Sequence, residues 1–265
     1  MTVGDGWTFR SEHRLRGYLA LEFGGQDVLR CWSHAVSNDA PHLVLPNAEI
    51  NLVARYSGQY CQVEVFGMTS EARWFRPTVD ETLLAVTLSP ERALSIGLHP
   101  RDWTNRMDLA PSKLQDRLAP VAERLLGLHI TEARRRWLDA VYPLTPDSND
   151  GFSAYSQARI REHHGQISLA RLATEMQVNE RQLQRRFRAT LGLSPKRYAQ
   201  QIRLAETIAA ADTQLAPSWA DLAAAGGYCD QSHLIRDCTK LTGLTPARLH
   251  ALRTLSEKSN TPPAS

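Results

Sequence analysis

Ser168-Leu-Ala-Arg-Leu-Ala-Thr-Glu-Met-Gln-Val-Asn-Glu-Arg-Gln-Leu-Gln-Arg-Arg-Phe187 is the stretch that decides the fold. Ser168 has the side chain of an N-cap, and a short helix through Leu169, Leu172 and Ala173 is expected behind it. A turn follows at Gln177-Val178. Asn179 then caps a second helix, with Glu180 at its first position and Gln182 placed to return the capping hydrogen bond. Small Ala173 lets the second helix cross closely, so the segment reads as two short helices joined by a tight turn. The second helix divides by face. Leu183 and Phe187, four apart, point to a core, whereas Arg181, Gln184, Arg185 and Arg188 share the opposite side. Those outward residue types suit the edges of base pairs, Arg pairing bidentately with guanine and Gln with adenine.

Working outward, the same pattern recurs. Leu172-Ala173 returns fifty residues on as Leu222-Ala223, and Leu191-Gly-Leu-Ser-Pro195 returns fifty-one residues on as Thr242-Gly-Leu-Thr-Pro246. One extra residue in the second turn explains the change of offset. Two copies are too few for a solenoid, so two small helical modules are expected. In the second copy Leu234 and Cys238 should face inward, with Gln231, Ser232, Ile235 and Arg236 outward. An outward Ile235 fits apolar contact with a thymine methyl. Between the copies, Ser194-Pro195 opens a long helix to about Asp212, with Tyr198, Ile202, Ala205 and Ala209 as its expected buried stripe. About 18 residues at ~1.5 Å each span roughly 27 Å, a strut able to hold two helices in successive major-groove segments.

Charge follows the same division. The chain of 265 residues carries a net +3, but residues 1–150 hold 16 Lys and Arg against 19 Asp and Glu, and residues 151–265 hold 15 against 9. Residues 151–210 alone hold 10 against 4, and residues 211–265 balance at 5 against 5, so the first module is expected to dominate attraction to a polyanion. No apolar run approaches a membrane span, and the opening MTVGDGWTFRSEH lacks the apolar core of a signal peptide. The four scattered cysteines form no CxxC pair, which fits a reducing compartment and a cytoplasmic protein.

Pro143-Leu-Thr-Pro-Asp-Ser-Asn-Asp-Gly151 cannot continue a helix or a central strand, and reads as a linker. The expected organisation is a β-rich regulatory or dimerisation domain at 1–142 ending in helices, a linker at 143–151, an all-α domain at 152–255 and a disordered tail at 256–265. The fold class is α+β. Strands are expected at Tyr18–Phe23, Glu49–Ala54, Cys61–Phe66 and Thr82–Leu88, and the alternation Cys61-Gln-Val-Glu-Val predicts one buried face. Residues 112–142 read as helices, and the stripe Leu114, Leu118, Val121, Leu125 is a candidate homodimer seam. Arg134-Arg135-Arg136 is read as a solvated helix face, Trp32, Trp74 and Trp103 as core, and Cys31 and Cys61 as packing residues. His163-His164 cannot form a metal pair, because adjacent helical residues diverge by about 100°. His34 and His42 have no supporting ligand nearby, and neither metal nor cofactor is expected.

Residues 155–253 resemble the bipartite DNA-binding domain of AraC-type transcription regulators over nearly its full length. The resemblance rests on Leu169-Ala-Arg-Leu-Ala-Thr-Glu-Met176, Leu183-Gln-Arg-Arg-Phe187, Gly192-Leu-Ser-Pro195, Gly227-Tyr-Cys-Asp-Gln-Ser-His-Leu-Ile-Arg236 and Leu241-Thr-Gly-Leu-Thr-Pro246. It implies seven helices, two helix-turn-helix subdomains on a rigid helix, and base-reading positions at Arg181, Gln184, Arg185, Gln231, Ser232 and Arg236. Three departures stand out: Gln177 replaces a turn glycine, Cys238 replaces a core aromatic, and the second module lacks a basic excess. Leu45-Pro-Asn-Ala-Glu-Ile-Asn-Leu-Val53, Gly67-Met-Thr69 and Thr87-Leu-Ser-Pro90 resemble the β-rich domain that precedes this unit in some regulators. That implies effector sensing, dimerisation or both. The expected partners are double-stranded operator DNA, RNA polymerase and a small-molecule effector of unknown kind. Arg188, Lys196 and Arg197 are the expected phosphate contacts. A DNA-repair alkyltransferase, one enzymatic alternative, would need a clustered reactive cysteine that Cys31 and Cys61 do not form, and a small-molecule-modifying β domain, the other, would need a convergent acid, base or nucleophile set that the sequence does not show.

Overall fold

The computed structural model describes the backbone of residues 2–3, 7–15, 18–23, 28–36, 42–47, 49–58, 60–76, 78–144 and 151–258. Most of the expected linker and the end of the expected tail lie outside the described residues. The chain divides into two compact units.

The first unit is built on a sheet. Its strands are β1 (Thr2–Val3), β2 (Trp7–Leu15), β3 (Tyr18–Phe23), β4 (Val28–Ala35), β5 (His42–Val44), β6 (Ile50–Ser57), β7 (Tyr60–Phe66), β8 (Arg73–Phe75), β9 (Glu81–Leu88) and β10 (Met107–Leu109). Eight of them form one sheet in the order β1-β2-β3-β4-β9-β6-β7-β10, and β5 pairs with β8. The central register places Asn51 opposite Thr87 and Val53 opposite Ala85. Four strands coincide with the apolar runs of the sequence. Among the strands outside those runs, β2 is polar-rich, β4 interrupts its apolar residues with Arg30, Ser33 and His34, and β8 and β10 have three residues each.

Both faces of the central strands are covered. Ile50, Leu52, Val53 and Ala54 are consecutive or near-consecutive and all fully buried, which a half-solvated sheet would not show. Val53, Leu83 and Ala85 pack with Trp32, Phe66 and Phe75. Helices α2 (Ser112–Glu123) and α3 (Ile130–Val141) follow the short α1 (Pro90–Ser95); α2 lies on β7, and α3 on β9 and β4. Trp137 is fully buried and its indole N–H donates to the Leu52 carbonyl at 3.3 Å.

Four expectations change here. Glu64, the polar member of the β7 alternation, is buried, because Arg55 donates to its carboxylate at 2.9 Å and to Glu81 at 2.7 Å. The stripe Leu114, Leu118 and Leu125 is buried within its own chain, against β7 and α3, so a homodimer seam through 112–142 would have to use other residues. Arg134 is buried too, leaving only Arg135 and Arg136 on the exposed face, where both pair with Glu132. Trp32 and Trp103 belong to the packed interior, whereas Trp74 is exposed. The thiols of Cys31 and Cys61 are pushed up to about 12 and about 11 by burial, so both stay protonated at neutral pH.

The second unit is helical. It contains α4 (Gly151–Glu162), α5 (Leu169–Glu175), α6 (Glu180–Leu191), α7 (Pro195–Asp212), α8 (Trp219–Ala225), α9 (Gln231–Thr242) and α10 (Pro246–Lys258). It also takes in Val44–Ala48 and Thr69–Arg73 from the N-terminal half, joined by backbone bonds between Asn47 and Thr69. The long α7 packs against α4 and α6 on one side of the sequence and α8, α9 and α10 on the other. Its buried residues are Pro195, Tyr198, Ala199, Gln201, Leu204, Thr207, Ile208 and Ala211. The expected stripe through Ile202, Ala205 and Ala209 is therefore rotated away from the core. A helix wrapped by two modules buries small and polar residues that an apolar-only scan skips, and leaves Ala205 and Ala209 as exposed helix formers.

Candidate nucleic-acid interface

Each module is set by local capping chemistry. Ser168 accepts from the Arg171 N–H at 3.2 Å to start α5, and Ser218 accepts from the Asp221 N–H at 3.4 Å to start α8. The turns that follow have the same bonding. In the first, Met176 N–H donates to Leu172 and Val178 N–H to Ala173; in the second, Gly226 N–H donates to Leu222 and Tyr228 N–H to Ala223. Gln177 and Gly227 occupy the equivalent left-handed position, with φ +54° and +70°. The turn glycine missing from the first module thus leaves its shape unchanged, and Gln177 carries the backbone strain.

Asn179 starts α6 through a reciprocal pair: its side chain accepts from Gln182 N–H at 2.8 Å, and the Gln182 side chain accepts from Asn179 N–H at 3.1 Å. Asp230 starts α9 by accepting from His233 N–H at 2.7 Å. Leu183 and Phe187 of α6 and Leu234 and Cys238 of α9 are all fully buried. Phe187 meets Tyr198 of α7 edge to face, ring centres 5.6 Å apart. With these anchors fixed, helical geometry dictates the outer faces. Arg181, Arg185 and Arg188 are exposed and Gln184 half-buried on α6; Gln231, Ser232 and Arg236 are exposed and Ile235 half-buried on α9. All seven expected base-reading positions therefore reach the surface, in two sets related by the repeat.

The environment keeps these faces cationic or neutral. Asp237 turns toward His233 at 3.7 Å and takes the Gln200 amide of α7 at 3.3 Å, away from the Arg236 face. Glu175 is held by Arg159 at 2.8 Å and Arg171 at 3.0 Å; these bonds, the Arg159 bond foremost, lower its carboxyl to about 2. His233 is drawn into the turn, its ring edge-on to Tyr228 and its Nδ1 accepting from Cys229 N–H at 3.4 Å.

The three expected phosphate contacts separate. Arg188 and Lys196 are exposed. Arg197 is not: its guanidinium donates to the Ser70 carbonyl at 2.8 Å and lies 3.6 Å from the Glu71 carboxylate, with 18% of the side chain exposed. No spacing rule could have found that partner, 127 residues away. Sequence reasoning also passed over Arg203, a lone cation on an alanine-rich stretch of α7. Its guanidinium donates to the Gly165 carbonyl at 2.7 Å and stacks on Tyr228 at 5.4 Å. Among the described residues, no group of three or more His, Cys, Asp or Glu is placed to hold a metal ion, and no helix is long and apolar enough to cross a membrane.

Two short helices with buried anchors and cationic or amide-bearing outer faces, each entered through the same turn, define a pair of helix-turn-helix modules. Residues 172–251 match the family profile described as a helix-turn-helix domain. That region is a helix-turn-helix domain, and a β-rich region precedes it in the chain. The chain is also similar to crystal structures of ToxT from Vibrio cholerae. The O395 structure is 10% identical at a TM-score of 0.44, covering 84% of this chain and 96% of the other. An unsaturated fatty acid-bound wild-type ToxT is 9% identical at 0.45, covering 87% and 97%. No curated protein matches the sequence.

Proposed function

We propose that the protein binds double-stranded DNA sequence-specifically through two adjacent major-groove segments. In this reading α6 reads one segment with Arg181, Gln184 and Arg185, and α9 reads the other with Gln231, Ser232, Ile235 and Arg236. Arg188 and Lys196 hold phosphates and position the protein without selecting sequence. The observation that carries the reading is the repeated division of α6 and α9 into a fully buried apolar face and an exposed polar one. The β-rich unit modulates this binding through an effector or through dimerisation, and RNA polymerase is the downstream partner. The work is binding rather than catalysis, carried out in the cytoplasm.

Selection from a random-sequence duplex library is the direct test, and it should return a two-box consensus. On that duplex Arg185→Ala should cost about 1–3 kcal/mol and relax preference at one base, while Lys196→Ala should weaken all sequences alike. Equal losses on selected and random DNA for Arg185→Ala would remove the base-reading assignment.

A further inference from the structure

The middle of α7 touches both modules at one point, and Arg203 is the residue that does so. Its Nη2 donates to the Gly165 carbonyl, in the loop ahead of α5, at 2.7 Å, and its Nη1 reaches the Gly227 carbonyl, in the second turn, at 3.5 Å. The guanidinium also lies over the ring of Tyr228, which is 5% exposed. The surrounding backbone is drawn in equally close. A Cβ on Gly165 would sit 2.3 Å from the Ala199 carbonyl oxygen of α7, and one on Gly226 would sit 2.6 Å from Thr207 Oγ1 of α7. Gln166 completes the joint by donating to the Ala225 carbonyl at 3.3 Å, its side chain filling the space beside Gly227.

We propose that Arg203 is a positioning residue that locks the two modules to α7 and so fixes the helical phase between the two boxes of DNA that α6 and α9 occupy. The chemistry favours this role. Two carbonyls from different modules accept from one planar, rigid cation, whose fork geometry fixes the angle between them as a flexible ammonium would not. Rigid display of two binding elements converts the second engagement into an intramolecular step, and that gain is lost when their relative geometry loosens. Arg203 itself is half-buried and on the joint, so it touches no base in this reading.

The proposal rests on the DNA-binding reading, and the two are separable by experiment. The probes are the duplex selected by the wild-type protein, a single-box version of it, and a series with the box separation changed one base pair at a time. For Arg203→Leu, affinity for the two-box duplex should fall about 10- to 100-fold, single-box affinity should change less than about twofold, and the dependence on box separation should flatten. Arg203→Lys should follow Arg203→Leu, because charge alone cannot bridge both carbonyls. Gln166→Ala, which leaves the α7 helix untouched, should show the same flattening in smaller measure and serves if the Arg203 variants unfold. Equal losses on one-box and two-box DNA, or an unaltered separation profile, would overturn the proposal alone. A wild-type protein that selects no consensus would overturn the DNA reading and this proposal together.

Discussion

Gln177 shows how a single residue records a compromise between sequence and turn geometry. Its φ of +54° is one that L side chains adopt at a cost, and the equivalent position in the second module is Gly227 at +70°. Gln177→Gly should therefore stabilise the first module by about 0.5–1 kcal/mol, the relief of left-handed strain exceeding the added chain entropy of glycine. Denaturant unfolding with unchanged m is the measurement, and a destabilised variant would show that the Gln side chain contributes more than its backbone costs. A second residue-scale consequence concerns acid. The Glu175 carboxyl is lowered from an ordinary 4.5 to about 2, the hydrogen bond from Arg159 being the chief cause. A depressed native pKa means its stabilisation is complete above pH ~4.5 and disappears as pH falls toward 2. Thermal unfolding of Glu175→Gln should accordingly lose pH dependence in that window relative to the wild type, while its profile above pH ~5 keeps the wild-type shape at a lower Tm. Parallel curves below pH 4.5 would show that the bond does not persist in solution.

At the scale of the element, the caps are what made the helical half legible. Ser168, Asn179 and Ser194 each announce a helix start in the sequence and each accepts the expected backbone hydrogen bond, and Ser218 and Asp230 cap the corresponding helices of the second module. Asn179→Ala should cost about 1 kcal/mol and weaken DNA binding without changing base preference, since it frays the start of α6 without touching its outer face. Urea unfolding and competition binding together check both parts. The buried face of α7 was not legible in the same way. Gln201 is buried because the Thr69 carbonyl accepts from its amide, and Thr207 because its hydroxyl donates back to the Arg203 carbonyl of α7; no periodicity of apolar residues reports either partner. Strand β2 is polar-rich, and in β4 the apolar residues are interrupted by Arg30, Ser33 and His34, so neither shows a continuous apolar run and pairing along the sheet decides them. Arg197 belongs to the same class. Lys196→Ala should lower the slope of log K against log salt by about 1, as loss of one phosphate contact does. Arg197→Ala should leave that slope unchanged and lower Tm instead, because its guanidinium is engaged by Ser70 and Glu71. A reduced slope for Arg197→Ala would return it to the phosphate-contacting set.

For the whole molecule, the consequential feature is that the helical unit is not contiguous in sequence. Thr69–Arg73 belongs to it, and hydrogen bonds tie that segment to the helices. Arg197 donates to Ser70, the buried Gln201 amide donates to the Thr69 carbonyl at 3.0 Å, and Ala72 N–H donates to the Leu241 carbonyl at 2.8 Å. The last of these satisfies one of the carbonyls that every helix leaves open in its final turn, here that of α9. A fragment of residues 149–265 contains all seven helices yet lacks these partners. At about 1 kcal/mol net for a neutral hydrogen bond and more for one from a guanidinium, the fragment should be about 2–4 kcal/mol less stable than the same unit in the intact chain. Gln201→Ala separates this cause from any other effect of truncation. In the intact chain it removes one of two donors to the Thr69 carbonyl, which keeps the Asn47 N–H, and should cost about 0.5–1.5 kcal/mol. In the fragment that carbonyl is gone and the side chain meets water, so the same substitution should be nearly neutral. Unfolding midpoints of the four proteins form a closed cycle. Equal costs of Gln201→Ala in chain and fragment would mean that residues 69–73 are not part of the stability of the helical unit, and that its fold is complete from Asn149 onward.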